Sequence, residues 1–230
     1  MKKILILIIS MILMLGMVSA VDITTCQSLL SDTTYDLTAD INTELETCFT
    51  TGSNVIFNGN GHSITKTTPV YNHEAFNMPS NIVTINNVII NGYGLIGDGD
   101  YIVLNDIIFN EPTDIDLKDS DYSSYDNVTI NNWPGGNAAY LVGDYSIIND
   151  FHMFNSSRGS VSLNQYSNVT NSEFNNVNGM FKPLGNNFID NNIFINCSGS
   201  SAGFLSGSDV ENITISNNVY CIIVAIMITN

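Results

Sequence analysis

The chain has few basic residues: six Lys and Arg stand against 22 Asp and Glu, for a formal net charge of −16 at pH 7. Lys2 and Lys3 lie in the first 20 residues, so the rest of the chain has 22 acids against four bases, or −18. The four bases are scattered, and no basic stripe is present to neutralise phosphates. Nucleic-acid binding is therefore not expected, and a polyanionic partner would be repelled unless metal ions bridged the surfaces.

The chain also lacks a helical pattern. After residue 30, no stretch places apolar residues three and four positions apart over several turns. Beyond the first 20 residues, no apolar run reaches the roughly 20 residues that a membrane-spanning helix needs. These two absences favour an all-β chain with no membrane span after residue 20.

A repeat is present instead. Each copy has a short β-branched run, then Asn followed by Asn, Asp or Ser, then a second apolar run; copies occupy residues 81–91, 101–110, 127–132, 146–151, 168–174, 187–194 and 212–220. The marker residues chosen are Asn86, Asn105, Asn131, Asn149, Asn171, Asn191 and Asn217, with steps of 19, 26, 18, 22, 20 and 26. A period near 20 with variable insertions is typical of a solenoid of short strands.

The alternation within one copy supports this interpretation. Side chains of a strand point alternately to opposite faces, so Val83 and Ile85 face inward together, as do Ile102 and Leu104 in the next copy. Asn tolerates left-handed backbone geometry and suits a sharp corner between two strands. Rungs about 4.8 Å apart would let corner Asn side chains form hydrogen-bonded ladders. The sequence predicts a parallel β-helix of about eight rungs.

Residues 54–64 carry a family resemblance, because a strand runs there into a Gly-rich turn and a second strand. Together with the Asn-rich copies over 81–220, this segment resembles the opening rung of right-handed parallel β-helix repeat proteins. The family is the pectin-lyase-like superfamily, especially its NosD-type and carbohydrate-associated domains. The resemblance implies an all-β, single-stranded, right-handed parallel β-helix with a small N-terminal cap, but fold alone does not fix function.

Three segments are expected along the chain. Residues 1–20 have a basic start, an apolar core and the small-residue end Val18-Ser19-Ala20, as a secretory signal peptide does; an uncleaved anchor is the alternative. Residues 21–50 are expected to form the cap, with a short helix or turn and then a strand. Residues 51–230 are expected to form the β-helix, and a β-helix truncated at its C-terminus is one interpretation of the final residues.

Export allows the cysteines to be oxidised. A Cys26–Cys48 disulfide is expected to pin the cap, with metal binding by this pair as the alternative. Cys197 and Cys221 lie 24 residues apart, about one rung, so a second disulfide or two free buried thiols are both open. The apolar end over 217–230 indicates a final rung shielded by an end-to-end partner, or a chain cut from a longer array.

Acidic residues supply the candidate metal and catalytic groups. Four close carboxylates offer the hard oxygen ligands that calcium prefers, although a solvated acidic loop is the alternative: Asp114, Asp116, Asp119 and Asp121. Carboxylate pairs for glycoside hydrolysis are Asp98 with Asp126, or Asp144 with Asp150. The family's lyases are implied to use an Arg or Lys base, for which Arg158 is the one candidate named.

Aromatic residues supply the candidate ligand-binding groups. Trp133, the single Trp, lies beside turn-forming residues, and five tyrosines are near it in the sequence: Tyr93, Tyr101, Tyr122, Tyr125 and Tyr140. Trp133, Tyr122, Tyr125 and Tyr140 are the rings expected to contact glycans, with inward packing as the alternative for Trp133. Five Asn-X-Ser/Thr sites begin at Asn127, Asn155, Asn168, Asn196 and Asn212 and accept glycans if they are exposed in a host that glycosylates.

The sequence favours an exported protein of the cell surface, extracellular space or periplasm. It is expected to be a non-catalytic module for carbohydrate binding, adhesion or structure, with a polysaccharide or surface glycan as its partner. The alternative is a polysaccharide lyase or glycoside hydrolase, and the third reading is a NosD-type factor for periplasmic metal-site maturation. No cofactor is certain, and calcium is the one considered.

Overall fold

The computed structural model describes residues 19–68, 73–79, 82–118, 120–134, 139–156, 161–177, 181–183, 185–197 and 213–221. The described residues contain strands and turns but no helix. Parallel strands stack as a β-solenoid of about seven turns, which confirms the predicted fold class. No helix within these ranges is long and apolar enough to cross a membrane. The predicted signal peptide at 1–20 lies almost wholly outside the described residues.

The first sheet contains the strands from two sides of each turn. Its main path, numbered in chain order, is β1 (Val21–Ile23), β3 (Thr34–Leu37), β6 (Val55–Asn58), β9 (Val83–Asn91), β11 (Ile102–Asn110), β13 (Ser124–Asn131), β15 (Ile147–Phe154), β17 (Asn168–Thr170), β20 (Phe188–Asp190) and β22 (Thr214–Ser216). Shorter strands continue the second side where it is separate: β4 (Ile41–Thr43), β7 (Ser63–Lys66), β18 (Glu173–Asn175), β21 (Ile193–Ile195) and β23 (Val219–Cys221).

The second sheet contains one strand from each turn. Its members are β2 (Gln27–Leu29), β5 (Thr47–Thr51), β8 (Glu74–Met78), β10 (Gly94–Gly97), β12 (Ile115–Lys118), β14 (Ala139–Val142), β16 (Val161–Leu163) and β19 (Phe181–Pro183). Pairing is parallel and in register from turn to turn; for example, Val83 pairs with Ile102, and Leu104 with Tyr125.

A left-handed residue separates the two segments of each long strand. In β9, Val83 and Ile85 face inward, Asn86 and Asn87 both face outward, and Val88 starts the next inward run. Asn87 has φ 49°, and this one residue resets the alternation so that both segments point into the core. The prediction that Asn makes the corner is confirmed.

The corner positions differ from the markers chosen in the sequence. The left-handed residues form what we call the corner column: Asn87, Asp106, Asn127, Asp150, Asn171, Asn191 and Asn217. In the third copy the corner is Asn127, and Asn131 ends the second segment. The assigned steps of 26 and 18 around Asn131 were therefore wrong, because Asn occurs at both ends of that segment.

The N-terminal segment extends the solenoid. Residues 21–50, expected to form a cap, supply β1 to β5, which pair within the same two sheets, and the suggested short helix is not there. The Gly-rich turn near residue 60 is consequently not in the opening rung. Cys26 and Cys48 form the expected disulfide, with an S–S distance of 2.09 Å, and join neighbouring turns beside the β2–β5 pair.

The core is a continuous stack of apolar side chains. Phe49, Phe57 and Phe76 contact one another at ring-centroid distances of 4.9–5.2 Å, and Phe174 stacks on Phe194 at 5.1 Å. Buried apolar side chains of successive turns form one cluster, so the core holds neighbouring turns together beneath the surface columns.

The second suggested disulfide does not form. Cys197 has a free thiol that donates to the Phe174 carbonyl at 3.3 Å. Cys221 pairs in register with Ile195 rather than Cys197, because the intervening turn is longer than the assumed rung. The free-thiol alternative therefore describes Cys197. Residues 222–230, where end-to-end contact was predicted, lie outside the described part.

Candidate functional site

Four exposed tyrosines stack along one edge of the solenoid. We call Tyr101, Tyr122, Tyr145 and Tyr166 the tyrosine ladder: successive ring centroids lie 5.3, 5.1 and 4.9 Å apart and the planes are within 12° of parallel. Each residue is 46–50% exposed. The ring faces cover one another, so the surface of the ladder consists of ring edges and phenol hydroxyls, one per turn.

The backbone of the ladder is unusual. All four tyrosines have φ near +60°, a left-handed conformation that bulky side chains seldom adopt. Each backbone N–H donates to a carbonyl in the next turn, for example Tyr101 to Asp121 and Tyr122 to Asp144, at 2.9 and 2.8 Å. Pairing between turns therefore holds each tyrosine in place and leaves its side chain to point outward.

A carboxylate column runs beside the ladder. It consists of Asp100, Asp121 and Asp144, each directly before a ladder tyrosine, and Gln165 continues it. One oxygen of each Asp accepts the backbone N–H of the next member, at 3.2, 2.7 and 3.1 Å in order. All three Asp side chains are partly exposed. The column thus caps the backbone of the turns and keeps negative charge at the surface.

Buried serines support the ladder from inside. Ser123, Ser146 and Ser167 follow ladder tyrosines and are almost fully buried. The Ser123 hydroxyl accepts the backbone N–H of Ile102 at 3.1 Å, and the Ser167 hydroxyl accepts that of Ser146 at 3.3 Å. These bonds satisfy buried backbone donors at the corner, so the ladder rests on a fixed inner layer.

Beyond the ladder lies the outward side of the first strand segments, which we call the polar face because its row nearest the corner column is polar at Asn86, Asn105, Asp126 and Asn149. Its row nearest the ladder is mixed and includes the exposed Ile147 and Phe188. Amide ladders cross it: Asn105 donates to Asn86 at 2.9 Å, and Asn149 donates to Asp126 at 2.6 Å. The corner column closes the far border, where Asn127 donates to Asp106 at 2.7 Å. The predicted ladders of corner and strand Asn side chains are therefore present.

The predicted ligand-binding rings divide into two groups. Tyr122 is a ladder member, whereas Trp133 and Tyr125 are buried at 0% and 1% exposure and do not reach a ligand. The inward-packing alternative therefore describes Trp133, and the prediction for Tyr125 was wrong because its position alternates inward on β13. Burial raises the pKa of Tyr125. Tyr140 lies on β14, paired with Asp116 and Ser162.

Two of the four ladder residues, Tyr145 and Tyr166, were not predicted, and Tyr101 was noted only as an aromatic residue near Trp133 in the sequence. The sequence did contain a signal: Tyr follows Asp three times and Gln once, at spacings of 21, 23 and 21 residues. These dipeptides recur at the length of one turn. Tyr101 is the first residue of an Asn-containing copy and the other three tyrosines precede one, but the repeat is defined by its Asn residues, so these positions do not stand out.

The candidate catalytic carboxylates have other contacts. Asp144 belongs to the carboxylate column, and Asp150 lies six residues on in the corner column, 2.9 Å from His152 Nε2. Asp126 accepts from Asn149, and Asp98 follows β10 of the other sheet. Asp144 and Asp150 therefore border opposite sides of the polar face. Arg158 lies outside the described residues.

One further carboxyl group has a perturbed environment. Glu74 is 7% exposed and accepts the Thr47 hydroxyl at 3.0 Å. Its pKa is raised, mainly because burial disfavours the charged form, with a smaller contribution from Asp114. Glu74 begins β8 in the second sheet, away from the polar face, and its burial keeps it from contact with a polymer.

Calcium binding by the acidic loop stays a prediction. Within the described ranges, no group of three or more His, Cys, Asp or Glu side chains could hold a metal ion. Asp119 lies outside those ranges, Asp114 is buried, and Asp121 belongs to the carboxylate column. Asp114 and Asp121 therefore lie in different environments.

The predicted glycan acceptors largely belong to amide ladders. Asn127 donates to Asp106, Asn155 to Asn132 at 3.2 Å, and Asn196 to Asn176 at 3.1 Å. Asn168 lies on β17, and Asn212 is outside the described residues. Modification of these Asn residues stays a prediction.

Comparison with known proteins finds no matching family model, no similar curated protein and no similar solved structure. The resemblance to the pectin-lyase-like superfamily is supported only at the level of a parallel β-solenoid.

Proposed function

We propose that this protein is an exported, non-catalytic module that binds an extended glycan along the tyrosine ladder and the adjoining polar face. The observation that carries the proposal is the ladder itself, four exposed phenols in line with about one turn between them. A surface that repeats every turn matches a ligand that repeats along its length. Edge-on rings and hydroxyls contact sugar CH groups and hydroxyls without requiring a deep pocket.

Export is part of the proposal. The basic, apolar and small-residue pattern of 1–20 favours a signal peptide, and the Cys26–Cys48 disulfide is consistent with an oxidising compartment. A cell-surface, extracellular or periplasmic location follows, and it would bring the polar face into contact with glycans.

The test uses residues 21–230 with insoluble glucan, chitin and pectin, in the presence of calcium and of chelator. The binding reading expects retention on at least one neutral polymer without release of reducing or unsaturated ends. The same assay decides the enzyme alternative, because cleavage would establish catalysis and direct attention to Arg158 and the Asp pairs.

The matched variants use a residue type that the chain itself has at the ladder position in other turns. Asn54 and Asn186 occupy the position of the ladder with similar φ, so Tyr122→Asn with Tyr145→Asn preserves a residue that this corner accepts. Retention should fall at least about tenfold, the equivalent of about 1.4 kcal/mol. The control is Ile108→Asn, which removes an exposed apolar side chain from the second strand segment. Equal loss in control and ladder variants would contradict binding at the ladder.

A further inference from the structure

The negative charge beside the ladder and on the polar face restricts which charge a bound glycan can carry. Six carboxylates occupy the carboxylate column, the strand and the corner column between residues 100 and 150: Asp100, Asp106, Asp121, Asp126, Asp144 and Asp150. No Lys or Arg occupies any of these columns, and the neighbouring base His152 contacts Asp150. An anionic polymer would meet negative charge at each of the three turns that contain these residues, whereas a cationic polymer would be complementary.

Each carboxylate of the column directly precedes a ladder tyrosine in the chain, so the two columns run side by side along the same turns. The raised pKa of Tyr122 agrees with this arrangement: partial burial is its main cause, followed by Tyr145 and Tyr101 and then by the charges of Asp121 and Asp100. A carboxylate accepts several hydrogen bonds, so the bond from the next backbone N–H leaves acceptor capacity at Asp121 and Asp144. The turns of Tyr101, Tyr122 and Tyr145 therefore each present a carboxylate directly before a phenol in the chain, and both groups accept hydrogen bonds from an ammonium group.

We infer that the tyrosine ladder and carboxylate column bind an extended amino-sugar polymer whose amino groups are protonated. Each ammonium group is placed at a carboxylate and phenol of one turn, and the uncharged parts of the sugar rings lie along the tyrosine edges. Sugar hydroxyls face the amide ladders, where each Asn retains donors or acceptors beyond its ladder bond. This inference rests on the proposed glycan-binding function and further specifies that the glycan is positively charged.

A peptide polycation is the competing occupant. The strongly negative surface attracts any polycation, but such attraction does not require the rings to be intact. An amino glycan depends on both columns, because its charge contacts the Asp residues and its sugar rings contact the tyrosines. Loss of binding when the ladder tyrosines are replaced therefore distinguishes an amino glycan from a peptide polycation.

The experiment compares oligomers of glucosamine, of N-acetylglucosamine and of glucose with oligolysine of equal length. Calorimetry with residues 21–230 is run at a pH at which the sugar amine is protonated and at two salt concentrations. The glucosamine oligomer is expected to bind about tenfold more tightly than its acetylated counterpart, as two or three exposed ion pairs would give. The preference should shrink at high salt.

The variants assign the preference to the column. Asp121→Asn with Asp144→Asn retains acceptors for the backbone N–H groups and should abolish the preference for glucosamine. Asp22→Asn with Glu111→Gln makes the same change in net charge at exposed positions off the ladder and should preserve it. Unchanged melting temperatures verify that each variant folds.

Three outcomes other than the expected preference for glucosamine would each overturn the inference for a different reason. Equal binding of glucosamine and acetylated oligomers, dependent on the tyrosines, would refute the charge preference and leave the glycan function intact. Oligolysine bound as tightly as glucosamine and unaffected by Tyr122→Asn with Tyr145→Asn would indicate general charge attraction. Binding of no glycan would refute both proposals.

Discussion

Two columns of left-handed residues flank the first strand segment of each turn and use different side chains for the same backbone conformation. The corner column contains only Asn and Asp, the side chains that tolerate this conformation best after Gly. The column before the segment holds Asp32, Asn54 and Asn186 near its ends, but Ile82 and the tyrosine ladder in the middle. In the corner column the side chain itself favours the left-handed conformation, which we call the local solution. In the tyrosine ladder only contacts with other turns can favour it, which we call the collective solution.

Local side-chain chemistry explains the corner column. Asn adopts φ near +50° at low cost, and its amide also bonds its counterpart in the next turn, as Asn191 does to Asn171 at 2.7 Å. A tyrosine has neither advantage and incurs a cost of about 1–2 kcal/mol in left-handed geometry. The ladder can offset this cost only through contacts with other turns, namely ring stacking and backbone pairing.

The largest expected effect breaks the local solution. Asn127→Val puts a β-branched residue at φ 51° and removes the bond to Asp106, so the free energy of unfolding should fall by about 2–3 kcal/mol. Denaturant unfolding of unglycosylated chain measures it. Asn127→Gly is the control: it accepts the conformation and should lose only about 1 kcal/mol. Equal losses would show that left-handed geometry is not the main constraint.

The second effect tests the collective solution. Tyr122→Gly relieves the left-handed cost yet should destabilise the fold, because stacking on both Tyr101 and Tyr145 is lost. A double-mutant cycle of Tyr122→Asn and Tyr145→Asn should give a coupling of about 0.5–1.5 kcal/mol. Additive losses would mean that the rings are close without stabilising one another.

The same comparison explains which parts were predictable from the sequence. Inward positions such as Val83 and Ile85 follow from alternation, and the Cys26–Cys48 disulfide follows from two cysteines in one N-terminal segment that the sequence predicts to be exported. The corner of the third copy was assigned to Asn131 instead of Asn127. Asn occurs at both ends of the second strand segment, and the motif does not show which end is the corner. The ladder was missed because a left-handed Tyr contradicts local preference; only contacts between turns, which a single copy of the repeat does not reveal, favour it.

A third prediction concerns the ionisation of the ladder. Asp121→Asn removes one charge that raises the pKa of Tyr122, so that pKa should move toward its ordinary value near 10 but stay above it, since burial is the larger cause. Tyrosinate absorbance during an alkaline titration measures the change against Asp106→Asn. An unchanged titration curve would show that the charge of Asp121 does not affect the pKa of the Tyr122 phenol.

The stability consequence has a definite sign. A raised pKa means that the folded chain keeps the Tyr122 proton while the unfolded chain loses it, so stability falls as the pH rises from the unfolded to the folded pKa. The fall above pH 10 should be smaller in Asp121→Asn. Tyr93, whose pKa burial raises to about 12, and Tyr125 titrate in both chains and serve as internal references.

The smallest expected effect is at the corner column itself. Asp106→Asn keeps a residue that tolerates φ 57° and an oxygen that accepts the Asn127 amide, while it removes one charge from a strongly acidic surface. The free energy of unfolding should change by less than about 0.5 kcal/mol. A loss above about 1 kcal/mol would show that the charge-assisted bond, and not the backbone conformation alone, holds this corner. The local solution would then depend on the neighbouring turn in the same way as the tyrosine ladder does.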